Sequence, residues 1–399
     1  MLNPAVRRLV LINGLYTLAN GLSGLFTSVY LWRLRPGVTT PAYYQLWTFL
    51  TIMIAMPTLG AYVKKRGAGM LNAIGMMLYA ALYLMLLILQ DRAAFYLPLI
   101  GITNGLALSC YALATHVLAY DLTDEANREA YYNRNGLVNS VAGLIAPLLS
   151  GWLVSSLAGL SGYRVVFIIS FVVFSAAAVM GLGLHSVRQS APYRLFSVFP
   201  GKHKGWHRLL LGYTLMGMRD GLFGFAVNLL VFLATGGERS VGNFAFVTAL
   251  VGMASFYVAG RVMNQQNRSR LFPLGAVLMA LSTGVIALGA SWKVMLVYGL
   301  LINLATPFWQ TTWNAVGFEV IKQANGDDQD MRIEMIGARE IPLNLGRMLS
   351  LFVLLRFTPT DGSTGFLQVL LACLSLVFPA TWLVVRKALR PLPAPAPVE

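Results

Sequence analysis

Arg219 and Asp220 stand side by side inside an otherwise apolar stretch, and Arg339, Glu340 and Arg347 interrupt another. An ionised side chain at the centre of a bilayer costs about 2.5–3.5 kcal/mol on insertion scales, so such groups persist by pairing or by lining a wet cavity. The stretch holding Arg219 starts near residue 208. At 1.5 Å per helical residue, Arg219 and Asp220 lie roughly 18 Å in, near the midplane. Glu340, Asn344 and Arg347 are spaced i, i+4 and i+7, which puts them on one helix face. Asp220 or Glu340 could take up a proton, and Arg219 or Arg347 could hold an anionic group. A structural ion-pair network, with Asp220 bonded to Arg347, uses the same residues.

Weaker polar features accompany these charges. Asn13, Thr17, Asn20, Gly24 and Thr27 make one helical stripe, which Tyr213, Gly217, Asp220, Gly224 and Asn228 repeat. The glycines also suit close helix packing. Asn104, Tyr111 and His116 share another segment. Pro307 precedes Trp309, Gln310, Trp313 and Asn314, aromatics and amides that could meet a substrate or pack internally. Near the segment ends, Asp121, Glu129, Glu319 and Glu334 are expected to pair with Arg134 and Arg339 and so form a cytoplasmic gate. Ordinary surface ion pairs, which contribute little, are the plainer reading of that set.

The elements that must position these residues are membrane helices. Of the 399 residues 57% are hydrophobic and 11% charged, against roughly 25% charged in soluble domains. Mean hydropathy is +0.65. A bilayer span needs about 20 apolar residues. Spans are expected at 8–32, 42–63, 70–90, 94–120, 134–157, 163–186, 208–234, 241–262, 271–290, 293–318, 335–357 and 364–386. The net charge of +15 sits in short runs between spans, such as Arg7 with Arg8 and Arg386 with Lys387. That is the positive-inside pattern rather than a basic nucleic-acid groove. Counted this way, twenty Lys and Arg fall on the cytoplasmic side, seven outside and three within spans, with both termini cytoplasmic. The expected location is the cell membrane, and no nucleic-acid partner is implied. Cys110 and Cys373 both lie in apolar stretches, so no disulfide framework is implied. A GxxxxGK[ST] loop, HExxH and GxSxG are absent from the sequence, and its four histidines are scattered. No enzyme activity, cofactor or metal is therefore expected.

The chain repeats itself. Asn20 answers Asp220, Gly60 and Lys64 answer Gly260 and Asn264, Asp121 answers Glu319, and Glu129, Arg134 and Asn139 answer Glu334, Arg339 and Asn344. The offsets run from 198 to 205. Two six-span halves, 1–186 and 208–399, joined by a cytoplasmic loop 187–207, then have a pseudo-two-fold axis along the membrane normal.

These features resemble the major facilitator superfamily. Gly60, Lys64, Lys65, Arg66 and Gly67 after span 2 are similar to that family's glycine, acid, basic, glycine loop, with Lys64 where an aspartate is usual. Gly260, Asn264 and Arg268 form the second copy. Ala142 to Gly151 resembles the glycine–proline pattern common in family exporters, and Gly162, Tyr163 and Arg164 resemble the family's entry to span 6. The resemblance implies an all-α, twelve-helix membrane protein of bacterial type, in which spans 1, 4, 7 and 10 line a central substrate cavity. Asn13, Asn20, Asn104, His116, Arg219, Asp220, Trp309, Gln310, Trp313 and Asn314 would then face substrate, with Asp220, Glu340 and Arg347 as the coupling network. The expected function is secondary transport of a small molecule by a monomer, coupled to protons and directed towards export. A receptor or lipid scramblase on the same scaffold is the alternative. Replacing Asp220 with Asn is expected to abolish pH-driven transport in proteoliposomes, and undiminished coupling would remove Asp220 from that role.

Overall fold

The computed structural model describes residues 3–124, 127–184, 193–199, 204–263, 267–325, 331–358 and 364–386. The long apolar runs fold as helices because a chain in hydrocarbon must satisfy its backbone polar groups within each segment. The first six are α1 (Pro4–Leu34), α2 (Thr39–Arg66), α3 (Ala68–Leu89), α4 (Leu97–Asp121), α5 (Arg128–Ser156) and α6 (Ser161–Gly181). The second set is α7 (Lys204–Thr235), α8 (Glu238–Val262), α9 (Arg268–Gly284), α10 (Trp292–Asn325) and α11 (Arg332–Phe357), then α12 (Gly365–Cys373) and α13 (Val377–Val385), which a 3-10 turn joins into one apolar segment. The twelve expected spans are each recovered to within a few residues, apart from a late end of α10 at Asn325, an early start of α5 at Arg128, and early ends of α6 at Gly181 and of α9 at Gly284, the last followed by a 3-10 turn to Leu288.

Local chemistry sets the ends. Asn3 Oδ1 accepts the Ala5 amide at 3.1 Å and Pro4 opens α1 without a donor to satisfy. Gly67, at φ 82°, stops α2 and starts α3, a conformation that only glycine adopts without strain. Inside the helices, hydroxyls return to carbonyls of the preceding turn, as Ser23 does to Ala19 at 2.8 Å.

Eleven of the described segments are long and apolar enough to cross a bilayer. The remaining one, α11, has 26 residues, about 39 Å at 1.5 Å each, and so has the length. What sets it apart is charge, since Arg339, Glu340 and Arg347 lie along it. Such a helix is tolerated only when its polar face is turned into protein.

Packing repeats between the halves. Neighbours α1–α5, α2–α4, α3–α4, α1–α6 and α3–α6 recur as α7–α11, α8–α10, α9–α10, α7–α13 and α9–α13. The two six-helix bundles meet chiefly where α2 packs on α11 and α5 on α8. Each has its own aromatic core. Tyr79 and Tyr83 stack on Phe174 and Tyr16 on Tyr111 in the first, and Phe272 and Trp313 stack on Trp309, with Phe378 edge-on to it, in the second.

The tightest crossing is α7 on α11. A Cβ on Gly217 would lie 2.0 Å from the Leu343 carbonyl oxygen, and one on Gly346 would lie 2.0 Å from that of Thr214. Gly217→Ala is accordingly expected to lower the melting temperature, by overpacking of about 1–3 kcal/mol. Gly260→Ala, with nothing within 4 Å of the added methyl, is expected to leave it unchanged or slightly raised. Thermal unfolding in detergent checks both.

Candidate functional site

Three polar assemblies lie along the interface between the bundles. The first is at the end where α1 begins and α13 finishes. Lys64 Nζ of α2 meets Glu334 Oε1 of α11 at 2.7 Å, with side chains only 3% and 1% exposed. The connection between the bundles joins the pair: the Arg194 amide donates to the same Glu334 oxygen at 3.1 Å. Tyr193 lies under the Lys64 ammonium, 6.0 Å from ring centre to Nζ, and its hydroxyl donates to the Pro57 carbonyl of α2. Gly60 makes room for that ring, since a Cβ there would sit 2.5 Å from it. Gly337 does the same on α11, where a Cβ would be 3.1 Å from Pro57 Cα and 3.3 Å from the Tyr193 hydroxyl. Burial, with the Glu334 carboxylate beside it, pushes the Tyr193 hydroxyl above the usual phenol range, so it stays protonated and donates.

The second assembly lies at the opposite end. Arg33 Nε at the end of α1 contacts Glu238 Oε1 at the start of α8 at 2.6 Å. Tyr163 of α6 donates to the same oxygen at 2.8 Å. The Arg33 guanidinium also sits 5.1 Å over Phe232, and Trp32 packs edge-on against that ring. Beside it α5 and α8 touch through Gly151 and Gly242, where a Cβ on either would come within 3.0 Å of the other's Cα.

Between the two lies a cavity of about 520 Å³, walled by α2, α4, α7, α8, α10 and α11. Its charged lining is Arg219, Asp220 and Arg347. Arg219 Nη1 bonds Asp220 Oδ1 at 3.0 Å, so the adjacent pair bends together. Arg219 also covers Phe223 at 4.5 Å and Phe378 at 5.3 Å. On α11 the i, i+4, i+7 face forms a relay. Arg339 Nε stands 3.6 Å from Glu340 Oε1, Asn344 Nδ2 donates to Glu340 Oε2 at 3.2 Å, and Arg347 Nη1 donates to Asn344 Oδ1 at 2.9 Å. Asn344 thus separates the carboxylate from the Arg347 guanidinium by one neutral amide. No bond joins Asp220 to Arg347 among the described residues; the guanidinium lies 5.0 Å over Phe49 of the first bundle.

Other sequence candidates sit elsewhere. Asn13 is buried within the first bundle, bonded to Asn135 at 2.9 Å and to Tyr111 at 3.2 Å. Asn20 is half-buried against Gly24, and Asn104 donates to Thr48 of α2 at 3.4 Å. Trp309 and Trp313 are not among the cavity lining: their rings are buried in the second bundle's core, where Trp309 stacks with Phe272 and Trp313 meets Tyr213 edge-on. Gln310 and Asn314 are exposed on the α10 face that continues the lining residues Gly299 and Asn303. His116 is exposed on α4, within electrostatic reach of Arg339.

The expected gate is paired differently. Glu334 takes Lys64 as partner and Arg339 takes Glu340, because α2, rather than α5, packs on this end of α11. Arg134 is exposed, and Asp121 and Glu319 are half-buried. The Glu129 and Arg268 side chains and Asn264 lie outside the described residues. In the loop motif, Lys65 and Arg66 are exposed beside Gly67, and Gly260 is open on all sides. Sequence reasoning missed Arg33, Glu238 and Tyr193, which read as ordinary loop or helix-end residues, and placed Tyr163 only in the pattern at the entry to span 6. It also missed the neutral cavity residues Gln45, Phe49, Tyr298 and Asn303, which no charge pattern marks.

Two helical bundles around a cavity, joined by ion pairs at both ends, have the architecture of a multi-pass membrane transporter. The model of the Major Facilitator Superfamily matches residues 9–328, and the chain belongs to that family. It is 30% identical over 355 residues to "Uncharacterized protein YqgE" of Bacillus subtilis (strain 168), covering 88% of this chain and 82% of that one. Its fold is similar to a bacterial homologue of the iron transporter ferroportin in the inward-facing state, with TM-score 0.73, 14% identity and coverage of 97% and 99%. It is also similar to an autoinhibited POT family peptide transporter, with TM-score 0.72, 13% identity and coverage of 99% of both chains.

Removing the carboxylate from a buried pair costs about 3–5 kcal/mol. Glu334→Gln is expected to lower the melting temperature more than Glu238→Gln, because the Arg33 side chain is 37% exposed. Equal shifts would show that the terminal-end pair is no more desolvated than the other.

Proposed function

We propose that this transporter is a secondary carrier moving a small molecule by alternating access, with residues 1–186 and 208–399 rocking about the central cavity. It lies in the cell membrane with both termini cytoplasmic, as the bias of basic residues towards that side supports. The observation that carries the reading is the pair of ion-pair closures, Lys64–Glu334 at one end and Arg33–Glu238 at the other, each joining the two bundles, with the cavity between them. A carrier needs one closure to open while the other holds. Both closures break a charge contact, so each contributes differential free energy to one conformation. Asp220, one-third exposed to the cavity, is the carboxylate proposed to exchange a proton with water during the cycle.

Loss of about 3 kcal/mol from one closure shifts the conformational equilibrium on the order of a hundredfold. The check is alkylation of single cysteines by an impermeant maleimide, with Cys110 and Cys373 replaced by alanine. Glu334→Gln is expected to raise labelling of Gln310→Cys from the cytoplasmic side and lower that of Asn228→Cys from outside. Glu238→Gln is expected to do the reverse. Variants that move both sites in the same direction would sink the alternating-access reading.

A further inference from the structure

We infer that the central cavity is a site for an organic monoanion, a carboxylate or sulfonate carried on an apolar or aromatic body. The inference rests on the transporter reading above and names its substrate class. The cavity lining holds two guanidiniums and one carboxylate. Asp220 is already neutralised by Arg219 at 3.0 Å, so the surplus positive charge belongs to Arg347. The acceptor bonded to Arg347 is the amide oxygen of Asn344, at 2.9 Å. A neutral amide orients a guanidinium without balancing its charge. The amide cannot turn away, because its nitrogen is held by the Glu340 carboxylate at 3.2 Å and by the Glu340 carbonyl at 2.8 Å. Arg347 Nε is buried without a partner among the described residues. An uncompensated charge near mid-membrane is costly, and a bound anion removes that cost.

The surroundings suit the rest of such a molecule. Phe49 supports the Arg347 guanidinium from one face at 5.0 Å. Phe223, Phe244 and Tyr298 add aromatic walls. The Arg347 guanidinium lines the cavity, and a guanidinium fork is the arrangement that grips a carboxylate. The side-chain amides of Gln45 and Asn228 line the cavity without a hydrogen bond among the described residues, and supply neutral contacts for polar substituents. A volume of about 520 Å³ falls in the range of small-molecule sites, about 300–1,000 Å³. A cationic ligand would add to the surplus charge. A zwitterion would leave that surplus in place.

The test is ligand-dependent thermal unfolding of the purified full-length protein. The probes are benzoate, 2-naphthoate and 2-naphthalenesulfonate, with the matching amides, benzylamine and phenylalanine as neutral, cationic and zwitterionic counterparts. The acids are expected to raise the melting temperature with concentration, and the counterparts to leave it unmoved. Arg347→Gln is expected to weaken the apparent Kd for the acids on the order of tenfold to a hundredfold, the range for a lost charge-assisted hydrogen bond. Arg347→Lys, which keeps the charge and loses the fork, is expected to fall between. Failure of every acid to stabilise, equal stabilisation by benzylamine or phenylalanine, or undiminished acid binding by Arg347→Gln would overturn the inference. These outcomes are separate from the alkylation result. If the closure variants switch access while no acid binds, the carrier reading stands and the anion assignment falls.

Discussion

A charge in hydrocarbon must find a partner, and that constraint organises this protein. Nearly every ionised group inside the bundles is placed by it. Lys64 and Glu334 are fully desolvated and survive because they meet at 2.7 Å and share the Arg194 amide and the Tyr193 ring. Arg219 bends along its own helix to reach Asp220. Arg339 and Glu340 do the same on α11. Once those pairs are drawn, Arg347 remains with a neutral amide, and it faces the cavity. The proposed site lies where pairing is incomplete.

The two bundles share a plan, yet they use their polar residues differently. In the first, α1 and α5 are bridged by side chains, Asn13 to Asn135 at 2.9 Å and Thr17 to Asn139 at 3.0 Å. By the internal repeat, Gly217 stands where Thr17 does, and Asn344 where Asn139 does. Glycine brings the α7 backbone against α11, and no side chain is left on α7 at that step to bond Asn344. Asn344 turns along its own helix and ties Glu340 to Arg347. The loss of one threonine side chain thus converts a helix-bridging amide into a link in a charge relay.

Much of this architecture is legible in the amino-acid sequence. The apolar runs, the repeat and the positive-inside bias locate twelve spans and two halves, because hydrophobic length is a local property. The i, i+4, i+7 face of α11 is readable for the same reason. Partners across the interface are not. Lys64 and Glu334 each stand out, one as a departure from the loop pattern and the other as a gate residue, and they are 270 positions apart in sequence. Nothing local says that α2, rather than α5, meets that end of α11. Trp309 and Trp313 show the opposite failure. Their spacing is helical, but their direction depends on a bundle core that the spacing does not reveal, and burial of large aromatic area drew them inward.

In the proposed cycle, the charge contact between Lys64 and Glu334 holds the terminal ends of α2 and α11 together and must break for that side to open. The most direct measurement is the distance between spin labels on Arg66 of α2 and Lys204 of α7, compared for Lys64→Glu, Glu334→Lys and the double exchange. Each single reversal places like charges together and should lengthen the distance or populate a second, longer one. The double exchange restores opposite charges and should return the parental distance. A double exchange as open as either single variant would contradict the account.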